Sequence, residues 1–134
     1  MSSQDLQEFL EQNFAEWVQA LDLIVTRAAA DGVTLSMPIT DKLARVGGIV
    51  SGQALAALAD TSMVLAAIAF TGEKRPIATT DLHTQFLRPG VGSAIECHAE
   101  VVRAGRALIF ARASMISADT GKAVATATAT FFVP

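Results

Sequence analysis

The sequence predicts an α+β fold: a curled antiparallel sheet of about six strands wrapped around one long apolar helix, plus an N-terminal helix. Three observations carry this. Residues Gly47–Thr71 read GGIVSGQALAALADTSMVLAAIAFT, apolar or small on nearly every face, as in a helix enclosed on all sides. Two strand-like segments precede this run and four follow it, several alternating with period two. Short turns join most of them, which implies antiparallel pairing.

In chain order, Ser2–Ala20 predicts a helix. Ser2 and Asp5 form a possible capping box, and Leu6, Phe9, Leu10, Phe14, Trp17, Val18 and Leu21 make one apolar stripe that packs on the domain. Leu21–Ala30 and Val33–Ile39 predict two strands joined at Asp31-Gly32, a dipeptide suited to a hairpin turn. Thr40–Val50 predicts a loop carrying Arg45 and Gly47-Gly48. The long helix spans about Ser51–Phe70, with Ser51 as N-cap and Thr71-Gly72-Glu73 as its end. Strands follow at Ile77–Leu87, Ala94–Val102, Arg106–Ser117 and Ala123–Val133. In the last of these Thr126, Thr128 and Thr130 share one face.

A chain of 134 residues without repeat or linker reads as one domain, 1–134, large enough to bury a core without metal or disulfide. Cys97 is the only cysteine, which excludes an intrachain disulfide and suits a reducing cytoplasm. A net charge of −3 with no basic run gives no footprint for nucleic acid. The apolar run is long enough to span a bilayer, but Asp60 at its centre and the alternating segments after it argue against a membrane protein. The N-terminus lacks the basic and apolar regions of a signal peptide. One Cys and two scattered His give no metal-ligand spacing, and no dinucleotide or phosphate-loop motif is present.

Asp60 is the only ionisable side chain between Gly47 and Thr71. A carboxylate in apolar surroundings costs several kcal/mol unless paired or hydrogen-bonded, so it is either a structural group with a partner or a catalytic one.

The layout and the segments GGIVSGQALAALAD and TTDLHTQFLRP resemble the hotdog-fold acyl-CoA thioesterases of the phenylacetate-pathway and 4-hydroxybenzoyl-CoA type, over roughly residues 20–133. In that family an Asn or Gln precedes G-x-V-H-G-G, and an acid ends A-x-x-L-x-D/E. Here Gly48-Ile49-Val50-Ser51-Gly52-Gln53 falls on the first stretch and Asp60 on the acid. Ser51 replaces the family's His, Gln53 its second Gly, and Arg45 its upstream amide. Thr79 falls where some members have a Ser that holds the attacking water.

The resemblance implies an acyl-CoA thioesterase that needs no metal or tightly held cofactor, CoA entering with the substrate. Asp60 would attack the thioester or act as general base on water, and the amide of Gly52, alone or with that of Gln53, would hold the oxyanion. Asp60 lies eight residues after Gly52, about 12 Å along a helix axis, so one helix cannot present both to one carbonyl. The chemistry then requires a homodimer with shared sites, and a dimer of dimers is compatible with it.

Other candidates keep open roles. Thr79 places water or is a plain strand threonine, and strict alternation sets it with Asp81, His83 and Gln85. Ser51 caps the helix or touches the substrate. Arg45 polarises the carbonyl, pairs with Asp60, binds a CoA phosphate or is solvated. Arg88, and the Arg103-Ala104-Gly105-Arg106 turn where relatives often contact CoA, are phosphate candidates. His83 is a lesser candidate, and His98, between Glu96 and Glu100, is expected to be exposed. The alternatives are a non-catalytic acyl-CoA-binding or interaction module on the same fold, and a dehydratase or hydratase of that fold. The second is disfavoured because no His lies in Thr40–Phe70.

Overall fold

In the computed structural model, which describes residues 1–134, six antiparallel strands form one sheet around a central helix. The elements are α1 (Ser3–Asn13), α2 (Glu16–Gln19), β1 (Ile24–Ala29), β2 (Gly32–Pro38), β3 (Ala44–Arg45), β4 (Ile49–Val50), α3 (Gly52–Thr71), β5 (Ala78–Phe86), β6 (Ala94–Ala104), β7 (Leu108–Ser117) and β8 (Ala123–Phe132). The sheet order is β1-β2-β6-β7-β8-β5. The strand that follows the helix therefore lies at one edge, with the first hairpin at the other.

Alternation decides which face meets the helix. Ile95, Cys97 and Ala99 of β6, Ile109, Ala111, Ala113 and Met115 of β7, and Ala125, Ala127, Ala129 and Phe131 of β8 are buried. Thr126, Thr128 and Thr130 point away, as expected from the sequence. Leu55, Leu58, Met63, Leu65 and Ile68 of α3 fill the concave side. The helix is apolar and long enough to cross a membrane, but two-thirds of its apolar window is buried here, as in a core helix. Leu58 is fully buried, and Leu58→Ala should lower unfolding free energy by about 2–5 kcal/mol, read from urea denaturation at unchanged m-value.

The helix is not enclosed all round, contrary to the sequence expectation. Ala56, Ala57, Asp60 and Val64 are half-buried and Gln53 is exposed. These positions recur three and four apart and form one open stripe. Ser51 caps α3 by accepting from Ala54 N–H at 3.2 Å, and Gly72 ends it in the left-handed conformation that glycine adopts without strain.

Three local expectations need correction. The predicted helix Ser2–Ala20 is two pieces. The Ser2–Asp5 capping box is present, but the chain leaves the helix at Phe14 (φ −94°, ψ 153°) and restarts at Glu16. Asn13 donates its amide to Phe9 O at 2.9 Å, a side-chain bond typical of a fraying helix end. Beyond the break Val18 reaches the core, while Trp17, counted in the apolar stripe, is 61% exposed. The first hairpin turns at Ala30-Asp31, one residue early. Gly32 already pairs with Ala29, where a Cβ would stand 3.1 Å from Ala99 O. Thr40–Val50 is not a plain loop either: Ala44–Arg45 pairs with Ile49–Val50 across a turn at Gly47 and Gly48, both at positive φ.

Candidate active site

Thr79 Oγ1 donates to Asp60 Oδ1 at 2.9 Å, joining the lone acid of α3 to the start of β5. Strict alternation would have turned Thr79 the other way, with Asp81, His83 and Gln85. A bulge at Thr80 resets the register: Thr79 pairs with Phe131, but Asp81 already pairs with Thr130. Cross-strand partners share a face, so Thr79, Leu82, Thr84 and Phe86 lie with inward-facing Phe131, Ala129, Ala127 and Ala125. His83, Asp81 and Gln85 lie on the outer face, which removes His83 from the site.

Asp60 makes no ion pair, so Arg45 does not neutralise it within one protomer. Burial raises its carboxyl above the usual aspartate range, and the Thr79 hydrogen bond pulls it partly back. A cavity of about 350 Å³ opens at this carboxyl, lined by Phe9, Phe14, Val64, Pro76, Ile77 and Thr79, with Asn13, Lys74 and Arg75 also on its wall. Val64, four residues after Asp60, follows from helical spacing. Phe9 and Phe14, members of the apolar stripe expected to pack on the domain, and Asn13 reach the cavity by tertiary packing, which sequence spacing does not locate.

Gly52 lies in a different cleft, of about 460 Å³, lined by Arg45, Ile49, Val50, Leu55, Phe86, Leu87 and Arg88. It is the first residue of α3, and its N–H finds no backbone acceptor. A Cβ there would stand 3.2 Å from the Phe86 ring. Arg45 stands on the short β3–β4 hairpin, and Arg88 Nη1 donates to Ala123 O at 2.6 Å. Ser51 works as a cap, and exposed Gln53 follows Gly52 in the first turn. Arg103, near the end of β6, and Arg106, in the β6–β7 turn, line neither cavity.

A further hollow of about 470 Å³ lies against the outer sheet face, but its charges are taken up in pairs. Arg112 meets Glu100 at 2.6 Å, Arg27 meets Asp31 at 2.7 Å, and exposed His98 contacts Thr34 Oγ1 at 3.0 Å. Burial pushes the Cys97 thiol up to about 12, so it is no nucleophile. No group of three His, Cys, Asp or Glu side chains is placed to hold a metal ion.

The carboxyl and the free amide thus open into separate hollows of one protomer. Similar architecture occurs in solved structures. A thioesterase family protein from Silicibacter pomeroyi superposes with a TM-score of 0.85 at 25% identity, over 96% of this chain and 95% of its own. Zebra fish thioesterase superfamily member 2 gives 0.84 at 22% identity, over 98% and 95%. A thioesterase from Haemophilus influenzae gives 0.87 at 18% identity, over 98% and 90%. The last two show the fold alone. No curated protein matches the sequence. The family model described as the acyl-CoA thioesterase N-terminal domain matches residues 42–132, the stretch from β3 to the end of β8 that includes Gly52, Asp60 and Thr79, and the chain belongs to this hotdog-fold thioesterase family.

Proposed function

We propose that this thioester hydrolase cleaves acyl-CoA to a free acid and CoA at two equivalent sites of a homodimer. Asp60 of one protomer works with the N–H of the partner's Gly52. The observation that carries the reading is the pairing of Asp60 with Thr79 at one end of β5, while Gly52 packs against Phe86 at the other. β5 is an edge strand, mostly exposed, with backbone groups free on one side. A two-fold axis near Leu82 pairs this edge with its copy and sets the Thr79 end of one strand beside the Phe86 end of the other. That operation brings the partner's Gly52 toward Asp60 and gives the open stripe of α3 a cover.

The chemistry follows from the parts. Asp60 Oδ1 accepts from Thr79, leaving Oδ2 to take a proton from water or to attack the carbonyl carbon. The oxyanion meets an unpaired amide at a helix N-terminus, where the dipole favours negative charge. With Asp60 as base, the tetrahedral intermediate expels CoA thiolate, which takes up the proton held by Asp60; with Asp60 as nucleophile, the thiolate leaves first and water then hydrolyses the acyl–Asp60 anhydride. Arg45 and Arg88, beside Gly52, suit the phosphates of CoA, and no cofactor is required beyond the CoA of the substrate. The cytoplasm, where acyl-CoA and free thiols occur together, fits the single buried cysteine.

Thiol release from short, long and aromatic acyl-CoA substrates tests the reading. Tight binding without release over the whole panel would replace it with a non-catalytic binder. Thr79→Val should lower kcat/KM roughly tenfold, the scale of one hydrogen bond to a charged group. It should also move the acid limb of the pH profile to higher pH, because the bond that lowers the Asp60 pKa is gone.

A further inference from the structure

Thr79 reaches Asp60 because β5 carries one residue more than the stretch of β8 it pairs with. Thr79 stands opposite Phe131 and Asp81 opposite Thr130, which leaves Thr80 without a partner residue. The extra residue has an attachment of its own: Thr80 Oγ1 donates to Thr130 O at 3.1 Å, where the ladder is interrupted. We propose that Thr80 is a positioning residue for hydrolysis, its hydroxyl pinning the bulge that turns Thr79 toward Asp60. The inference rests on the site proposed above, in which Asp60 and Thr79 act together.

The start of β5 has two ways to pair. From Asp81 to Phe86 the register is regular, with Leu82, Thr84 and Phe86 inward. Continued without a bulge, the same alternation would set Thr80 opposite Phe131 and turn Thr79 and Ile77 to the outer face. In the bulged register Thr79 is inward, and it lines the Asp60 cavity together with Ile77. Asp60 thus meets the hydroxyl of one threonine while the next holds the strand.

Two contacts favour the bulged register. Ile77 packs against the core and holds the chain before the bulge. The Thr80 hydroxyl ties the bulge itself to β8. No strand of the same protomer supports β5 on its other side, because it ends the sheet. Bulges concentrate at sheet edges and beside active sites, where they re-aim a side chain. Thr80 acts through Thr79, since its single O–H is committed to Thr130 O.

The test follows the Asp60 carboxyl by carbon NMR titration, with thiol release in parallel. The proteins are wild type, Thr79→Val, Thr80→Val, Thr80→Ser, the double valine variant and a chain with Thr80 deleted. Valine keeps the branched shape of threonine and loses only the hydroxyl. Thr80→Val should raise the Asp60 pKa, in the same direction as loss of the Thr79 hydrogen bond, and lower kcat/KM about fivefold. It should add nothing when Thr79→Val is already present, because both act through one bond. Thr80→Ser keeps the pin and should restore the wild-type titration. The deletion should restore it too: Thr79 still faces Phe131 and Asp81 still faces Thr130, now in a regular strand that needs no pin. Lys74 and Arg75, the charged groups on the cavity wall beside Asp60, are the same in every variant. A wild-type titration in Thr80→Val, an additive double variant, or a deletion that behaves like Thr80→Val overturns the proposal. Thiol release is scored separately: its absence in wild type would remove hydrolysis, while the titration still decides whether Thr80 positions Thr79.

Discussion

Asp60→Asn lowers kcat at least about a hundredfold, the scale of a lost catalytic acid–base group, while the dimer persists. Asn keeps the size of the side chain and an oxygen for the Thr79 hydroxyl, so the 2.9 Å bond survives. What disappears is the charge and the basic oxygen. Stability should respond in the opposite direction to activity. The folded protein holds the Asp60 carboxyl above its ordinary pKa, chiefly through burial. Between the ordinary and raised values the folded state binds more proton than the unfolded one, so stability falls as pH rises through the raised pKa. Asn carries no such penalty. Its melting temperature at pH 8 should equal or exceed that of wild type, and the difference should shrink as the pH is lowered toward the carboxylate range. Near-normal thiol release by a well-folded variant would remove Asp60 from the mechanism.

Most of the architecture was legible because period-two strands and an unbroken apolar run each admit one arrangement. Asp60 was legible as an isolated charge among hydrocarbon. The face of Thr79 was not. A bulge adds one residue to a strand, and the pattern of Thr79, Thr80 and Asp81, all polar, cannot show which of them is extra. The break at Phe14 was hidden for a related reason. Leu6, Leu10, Phe14 and Trp17 continue one stripe at helical spacing, and only the competing bonds of Asn13 and Gln19 end it. By contrast, the distance from Gly52 to Asp60 needed only helix geometry, and it already pointed to a second chain.

Gly52→Pro should abolish an oxyanion donor with little cost to folding, and its mixture with Asp60→Asn should regain activity. Proline is tolerated at the first position of a helix because the N–H it removes has no intrahelical acceptor. Ser51, at φ −64° and ψ 147°, already has the extended backbone that a following proline demands. The ring must displace Phe86, whose side chain is 56% exposed and free to give way. Loss of one such donor lowers kcat by about a hundred- to a thousandfold. Each variant homodimer then has two defective sites. A mixed dimer has one site with both defects and one with none, since the intact Asp60 comes from one chain and the intact Gly52 from the other. Random pairing of equal amounts makes about half the dimers mixed, and restores about a quarter of wild-type activity per protomer. Co-expressing the two variants with different tags and assaying the doubly purified dimer raises this to about half. If each chain carried its own complete site, no mixture could exceed its parents.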